Sequence, residues 1–246
     1  MKKNILFIIF LILFSTQTVL ALTAREIVEK SDNLPQSTTT MSDMKMSIHS
    51  GGSIIDKEFN LEAVETAKND SKTLITFTKP SKLKLLTHSH PDKEDDQWLM
   101  MSSGKVKRIT ASGKEKSFVN SHFSYEDLSS RKINDYTYTQ LSDETTLTFP
   151  CYRIEGTPTT KDNVYDKVIL YVRQKDFFVV RIDFFKKGKY LKRLENHDIR
   201  VVDGILTPFD VRMIETDDKE WTGLHIASIT YNQEISSSKF NKEALR

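Results

Sequence analysis

The residues of this sequence that come nearest to a catalytic constellation are two histidines separated by one residue. They form the run His88-Ser89-His90-Pro91-Asp92, which follows an apolar segment. Histidines two apart on a strand face the same way, and a nearby carboxylate could join them as zinc ligands. An exposed polar loop is the simpler interpretation of the same residues.

The run also resembles the His-x-His-x-Asp opening of metallo-β-lactamase-like hydrolases. That motif continues with a further histidine where this chain has Lys93, and the later ligands have no counterpart among His122, His197 and His225. We therefore predict a polar loop, no metal and no cofactor. A secreted metallohydrolase that uses His88 and His90 is kept as an alternative function.

Other reactive residues give no stronger indication of an enzyme. Asp95, Asp96, Glu126 and Asp127 flank apolar residues, where carboxylates usually serve turns and caps rather than acid–base catalysis. The single cysteine, Cys151, cannot form an internal disulfide and has no activating neighbour, so a buried structural role is predicted. The sequence contains no nucleophile elbow, Walker loop or glycine-rich dinucleotide loop. We predict that the protein is not an enzyme.

The amino terminus has the pattern of a secretory signal. Lys2 and Lys3 precede an apolar run, and small residues stand where a signal peptidase would cleave after Ala21. We expect residues 1–21 to be removed and residues 22–246 to form one domain in the periplasm. Without the two signal lysines the chain has 34 basic and 34 acidic residues, a balance that argues against nucleic acid as a partner.

The spacing of apolar residues predicts a mainly β protein. Thr23 and Glu26 fit a capping box that opens a helix to about Lys30, and a second short helix is expected within 118–131. The rest alternates with a period of two and is interrupted by turn residues, such as the Asp203-Gly204 pair. About ten or eleven strands joined by hairpins are predicted, which indicates an antiparallel sheet.

Several strands have one continuous apolar face, and these faces are the candidate binding surface. An ordinary core explains them as well as a cavity does, although methionine and phenylalanine make adaptable walls for a flexible guest. The candidate ligand-binding residues are Met44, Met46, Ile48, Phe59, Trp98, Phe178, Val180, Ile182, Phe184, Phe209, Val211 and Met213.

A family resemblance lies in the stretch from Asp96 to Leu128. It resembles the outer-membrane lipoprotein-sorting, LolA-like family of periplasmic carriers, which shows a Trp-Leu strand, a basic strand and a Ser-Phe…Tyr-Glu-Asp-Leu run in this order. Met100, Met101 and Ser102 depart from the family pattern, as do Asn120 and His122. The matching residues are Asp96, Trp98, Leu99, Lys107, Arg108, Ile109, Ser117, Phe118, Ser121, Phe123, Tyr125, Glu126, Asp127 and Leu128.

The resemblance continues in order to the closing run from Phe240 to Leu245, and it implies a fold and a function. The fold would be an incomplete antiparallel β-barrel, a curved sheet covered by short helices that close an apolar cavity. The function would be a carrier of acyl chains of lipoproteins or lipids towards the outer membrane. An inner-membrane transporter and an outer-membrane acceptor are the implied partners, and a monomer is expected.

The aromatic run within the matched stretch is the candidate lid of that cavity. Phe118, Phe123, Tyr125 and Leu128 stand among polar residues and are expected to lie on the sheet, with Trp98 beneath them. A segment of this composition should have few contacts and low local stability. A third hypothesis is an accessory module of a membrane transporter that binds no lipid.

Overall fold

The computed structural model describes residues 21–67, 70–160 and 163–245, so the predicted signal peptide lies almost wholly outside the described residues. The described part contains one α-helix, α1 (Ala24–Asp32), and thirteen strands. The strands are β1 (Thr39–Ser50), β2 (Ser53–Ala67), β3 (Asp70–Lys79), β4 (Lys84–Ser89), β5 (Asp96–Met100), β6 (Val106–Ile109), β7 (Tyr136–Thr146), β8 (Phe149–Pro158), β9 (Lys167–Arg173), β10 (Val179–Lys186), β11 (Lys189–Val202), β12 (Ile205–Glu215) and β13 (Trp221–Tyr231).

All thirteen strands of the described residues form one antiparallel sheet, in the order β6-β5-β4-β3-β2-β1-β13-β12-β11-β10-β9-β8-β7. Two meanders, β1 to β6 and β7 to β13, are therefore joined where the first strand pairs with the last. The sheet does not close, because β6 and β7 remain at its two edges. The predicted incomplete antiparallel barrel is confirmed.

The sheet is strongly curved. Leu85 on β4 and Ile154 on β8 belong to the same buried cluster, although their strands are nine positions apart. In a flat sheet such strands would be roughly 40 Å apart, since neighbouring strands lie about 4.8 Å from each other. Only a sheet that wraps around its contents can bring them together. We call the face that holds this cluster the inner face.

Helix α1 lies on the inner face, and its predicted capping box is present. The Thr23 backbone N–H donates to Glu26 Oε2 (2.7 Å), and the Glu26 N–H donates to Thr23 Oγ1 (3.3 Å). Ile27 is fully buried in the inner cluster. The helix therefore contributes its apolar side to the interior of the curved sheet.

Two expectations about the elements are wrong. The described residues contain thirteen strands rather than about ten or eleven. The second helix, expected within 118–131, does not form. The chain there makes successive turns with an isolated bridge between Ser117 and Ser124. Val119 and Asn120 have positive φ angles, a conformation that a helix cannot contain.

The outer face carries two smaller clusters. One forms where the carboxyl-terminal segment, residues 237–245, covers β3 to β5 and buries Phe240 and Leu245 completely. The other includes Cys151 and Val180, and Cys151 is buried as predicted. No helix of the described residues is both long and apolar enough to span a membrane.

Candidate functional site

The inner face is the candidate functional site, and it gathers most of the predicted binding residues. The inner cluster combines side chains from both meanders with α1 and with the candidate lid, so its walls come from strands far apart in sequence. Met44 and Val211 lie at its border. The predicted wall residues buried within it are Met46, Ile48, Phe59, Ile182, Phe184 and Met213.

The assignment of one face to residues 178–184 is wrong at its start. Phe178 and Val180 lie in an outer cluster, whereas Ile182 and Phe184 lie in the inner one. The register between β9 and β10 shifts between Val179 and Arg181. Such a bulge places two successive residues opposite one, so side chains after it change faces relative to those before it. Val179 accordingly contacts the inner cluster in place of Val180.

Two further predicted residues lie away from the inner cluster. Trp98 packs into the outer cluster beneath residues 237–245 and meets the His88 ring edge-on, with centroids 5.0 Å apart. It does not lie beneath the candidate lid, because the neighbouring Gln97 is the residue of β5 whose side chain points to that segment. Phe209 is half-buried and is covered by the Arg200 guanidinium, 4.1 Å from its ring centre.

The candidate lid, residues 117–128, fills the space inside the curved sheet. Phe118, Phe123 and Tyr125 are buried, and Leu128 packs against them. The Phe118 ring lies 5.7 Å from that of Phe77 on β3 and 5.7 Å from that of Tyr125. Aromatic pairs at these distances contribute about 0.5–1.5 kcal/mol beyond their buried area. The segment is thus part of the interior packing.

A buried carboxylate fixes the same segment to the sheet. The Asp127 carboxylate accepts hydrogen bonds from Lys192 Nζ (2.6 Å), the Tyr165 hydroxyl (2.7 Å), and the Ser124 N–H and hydroxyl (2.7 and 2.9 Å). The Asp127 and Lys192 side chains are 1% and 5% exposed. Burial, and then the charge of Asp127, raise the pKa of the Tyr165 hydroxyl, so it stays a donor. We call these residues the Asp127 lock.

Additional hydrogen bonds attach the middle of the segment. Gln97 Nε2 donates to the Tyr125 carbonyl (3.1 Å), and Lys192 Nζ also donates to the His122 carbonyl (2.9 Å). Just beyond the segment, the Ser130 N–H donates to the buried Asp95 carboxylate (2.7 Å). The expectation of few contacts is therefore wrong.

Sequence reasoning missed Lys192, Tyr165 and Gln97 as residues of this site. A signal for Lys192 was present, because it shares a strand face with Leu194, an apolar residue of the inner face. A lysine on an apolar face needs a buried acidic partner. The partner, Asp127, was visible only as a member of an acidic run, and the pairing requires the fold.

The two histidines of the predicted polar loop have structural contacts. His88 Nε2 lies 2.7 Å from the Phe240 carbonyl oxygen, which can only accept, so Nε2 carries the proton. Burial lowers the pKa of His88 and favours its neutral form. His90 Nε2 lies 3.1 Å from Asp96 Oδ2. Among the described residues, no group of three or more metal-ligating side chains was found.

Cavities open at one end of the inner face. A groove of about 410 Å³ lies between the end of α1 and β10 to β12. We call it the apolar groove, after the apolar half of its lining, which is Leu34, Pro35, Phe178, Val179, Ile205 and Leu206. The other half of the lining is polar and consists of Ser31, Gln36, Ser37, Thr40, Asn196 and Tyr231. A polar cavity of about 490 Å³ lies at the gap between the two sheet edges. Glu126 lines this polar cavity, and burial raises the pKa of its carboxyl group.

Comparisons with known proteins agree with this architecture. A structure described as an outer membrane lipoprotein-sorting protein domain from Vibrio parahaemolyticus is 25% identical with a TM-score of 0.85, covering 90% of this chain and 97% of that one. A DUF1329 family protein from Desulfovibrio piger is 26% identical with a TM-score of 0.85, covering 91% and 98%. A LolA superfamily protein from Nitrosomonas europaea, 18% identical with a TM-score of 0.70 and covering 91% and 100%, shares the fold.

The sequence comparisons point to one family. None of the curated protein sequences matches the chain. A family model with the description "Uncharacterized protein" matches residues 69–246, which is more than half of the chain. The chain belongs to the family that this model describes, and the predicted resemblance to outer-membrane lipoprotein-sorting proteins is confirmed by the structures above.

Proposed function

We propose that this protein is a periplasmic carrier that binds the acyl chains of lipoproteins or lipids and moves them towards the outer membrane. The observation that carries the proposal is the continuity between the apolar groove and the inner cluster. Val179 lines the groove and also packs against the inner cluster. A chain in the groove would therefore meet apolar side chains at its inner end. Each methylene moved out of water contributes about 0.8 kcal/mol.

A longer acyl chain needs more space than the groove offers, and movement of the segments that close the inner face would supply it. The face is closed by α1 and by residues 117–128, and neither is a strand of the sheet. Displacement of the segment would leave the thirteen-stranded ladder intact. The Asp127 lock favours two states of the segment. In the closed state all polar groups of the lock are hydrogen-bonded within the protein, and in the open state they are all hydrated. Between the two, buried polar groups would be left unbonded, which is unfavourable. We propose that residues 117–128 act as a lid that opens to admit cargo and closes over it.

Residues 1–21 support the location in this proposal, since a cleaved signal would place the chain between the two membranes. Delivery then requires a donor and an acceptor membrane protein. The carrier itself needs only to exchange one apolar environment for another. Release depends on an acceptor that binds the chain more tightly, and no covalent step is involved.

The test is lipid extraction and native mass spectrometry of the full chain taken from the periplasm of an expressing cell. We expect a bound amphiphile, and we expect Val179→Asp to reduce the lipid load several-fold, because it puts a charge on the wall of the groove. Val201→Asp is the matched control, since Val201 is 67% exposed on β11. A lipid-free wild type, or an undiminished load in a folded Val179→Asp variant, would contradict the proposal.

A further inference from the structure

A second, smaller cavity lies beside the apolar groove. It has a volume of about 220 Å³, and its walls are rich in hydroxyl groups, including those of Ser37, Thr40 and Ser71. Gln36, Ser37 and Thr40 line both this cavity and the apolar groove. The two cavities therefore flank one short segment between α1 and β1. An amphiphile that straddles this segment would meet apolar walls on one side and polar walls on the other.

The smaller cavity has more positive than negative groups in its lining. Arg131 and Lys132 are its basic residues, and Glu65 is its only acidic one among the described residues. Lys132 Nζ donates a hydrogen bond to the Lys93 carbonyl. Because a carbonyl is neutral, this bond does not neutralise the positive charge of Lys132. Asp95 lies behind the wall and is occupied by hydrogen bonds from Ser130 and Ser89.

Arg131 is a cation that the smaller cavity shares with the polar cavity. The residue is exposed and lines both the smaller cavity and the polar cavity of about 490 Å³. Its guanidinium hydrogen-bonds to the Tyr136 side chain, and its charge acts on the Glu126 carboxyl group, which lines the polar cavity. The guanidinium carbon lies 5.7 Å from the centre of the Phe184 ring, a residue of the inner cluster. A cation is thus held at the rim of the apolar interior.

We propose that the smaller cavity is a subsite for the anionic headgroup of an amphiphile, with Arg131 as its main recognition residue. The inference rests on the carrier function and specifies its substrate class. A guanidinium can donate two parallel hydrogen bonds to a phosphate or carboxylate. The Ser37–Thr40 pair supplies one further hydroxyl donor, because only one of its two hydroxyl hydrogens is used within the pair, and the Ser71 hydroxyl in the cavity wall is another. The ligand chain extends from this subsite into the apolar groove.

Ser37 and Thr40 illustrate why one donor remains in that pair. Their hydroxyl oxygens are 2.7 Å apart, so one hydroxyl donates to the other and the second keeps its hydrogen. Thr38 and Thr39 are different, because their hydroxyls donate to Asn232 Oδ1 and the Gln233 carbonyl. The Ser37–Thr40 pair therefore keeps one hydroxyl hydrogen for a ligand, whereas the Thr38 and Thr39 hydroxyls use theirs within the protein.

The test compares two single-chain phospholipids of equal chain length, one with an anionic phosphoglycerol headgroup and one with a zwitterionic phosphocholine headgroup. We expect the full chain to bind the anionic lipid about tenfold more tightly. Arg131→Gln should remove this preference and leave phosphocholine binding unchanged. Arg131→Lys should retain part of it, and Lys45→Gln, at an exposed position on β1, should change neither affinity.

The outcomes separate this inference from the carrier function. Equal binding of both lipids, or an anionic preference that survives Arg131→Gln, would overturn the headgroup subsite and leave the carrier standing. Binding of neither lipid would remove the carrier function. Inorganic phosphate is the third probe, because the chemistry of a phosphate is shared by lipid and free ion. Phosphate binding as tight as that of the anionic lipid would also overturn the proposal.

Discussion

Two segments outside the sheet cover its two faces, and they are held by different interactions. Residues 117–128 cover the inner face through aromatic packing and through the Asp127 lock, whose ion pair is almost fully buried. Residues 237–245 cover the outer face through two completely buried side chains, Phe240 and Leu245. The polar contacts of residues 237–245 include single hydrogen bonds to backbone carbonyls, from His88 Nε2 to Phe240 (2.7 Å) and from Lys84 Nζ to Ala244 (3.2 Å).

The difference shows how two covers of similar length can have different functions. Apolar packing weakens gradually as a segment moves away, since it has no preferred direction. A buried ion pair with several hydrogen bonds resists small movements, and its loss leaves a charge without a partner. The inner cover should therefore open in one step, whereas the outer cover should fray from the carboxyl terminus. A cargo lid requires the first behaviour.

The largest expected effect comes from breaking the Asp127 lock. Asp127→Asn keeps the shape of the side chain but leaves Lys192 buried without a counter-charge. We expect the free energy of unfolding to fall by about 3–5 kcal/mol in urea denaturation, as for other broken buried pairs. Glu58→Gln, which breaks the exposed pair between Glu58 and Lys79, should cost less than about 1 kcal/mol.

A double variant sharpens this result. Asp127→Leu with Lys192→Met replaces the ion pair by apolar groups of similar volume, and such replacements are often neutral. We expect it to recover part of the stability lost in Asp127→Asn, because the unpaired buried charge is removed while the Tyr165 hydroxyl and the Ser124 N–H lose their acceptor. If Asp127→Asn lowers the free energy of unfolding no more than the exposed control does, the inner cover is not held by its charge pair. The proposed difference between the two covers would then be wrong.

The second effect concerns the outer cover. Phe240→Ala should cost about 2 kcal/mol, below the roughly 3–5 kcal/mol typical of a phenylalanine truncated in a core, because a terminal segment can detach without dismantling the sheet. Trp98 lies beneath this segment, so its fluorescence in a Trp221→Phe background should report the exposure. Ile54→Ala, at a side chain 61% exposed, is the control and should have little effect. A loss larger than that of Asp127→Asn would reverse the proposed order of the two covers.

Hydrogen exchange should rank the stabilities of the two covers in the same order, without any mutation. We expect amides in 237–245 to exchange at least about tenfold faster than those in 117–128, because the inner segment is fixed at Asp127, His122 and Tyr125. Lipid loading then tests the lid. Protection between Ser117 and Leu128 should rise when lipid is bound. Equal protection with and without lipid would identify the segment as a permanent plug and leave the carrier proposal intact.

The comparison also explains what could be predicted from the sequence. The strand positions follow from the alternation of apolar and polar residues, and the capping box at Thr23 follows from a contact between residues close in sequence. Both could therefore be predicted from the sequence. The bulge at Val180 could not be predicted, because the residues around it alternate normally and only the pairing with β9 reveals the shift. The strong attachment of residues 117–128 to the sheet could not be predicted either. Asp127 and Lys192 are 65 residues apart, and their contact depends on the curvature of the whole sheet.

The smallest expected effect is a difference in how the two covers respond to pH. On the outer side, burial lowers the pKa of His88 below its ordinary value of 6.5. The unfolded state therefore takes up this proton first as the pH falls below 6.5, and the stability of the outer cover decreases. On the inner side, burial raises the pKa of Glu126 above its ordinary value of 4.5. The folded state takes up that proton first, so acidification towards pH 4.5 favours the inner cover.

Hydrogen exchange at pH 7 and pH 5, corrected for intrinsic rates, measures these opposite responses. Protection of 237–245 should fall at pH 5, whereas that of 117–128 should hold or rise. Partial burial would raise the pKa of Asp96, but hydrogen bonds from Arg108, His90 and Lys93 outweigh it and lower the pKa to about 2, so Asp96 stays ionised in this range. His88→Gln, which can keep a donor to the Phe240 carbonyl, should abolish the fall in 237–245. Glu126→Gln should abolish any rise in 117–128. A fall of equal size in both segments would mean that the two covers open together, which would refute the independence on which a cargo lid depends.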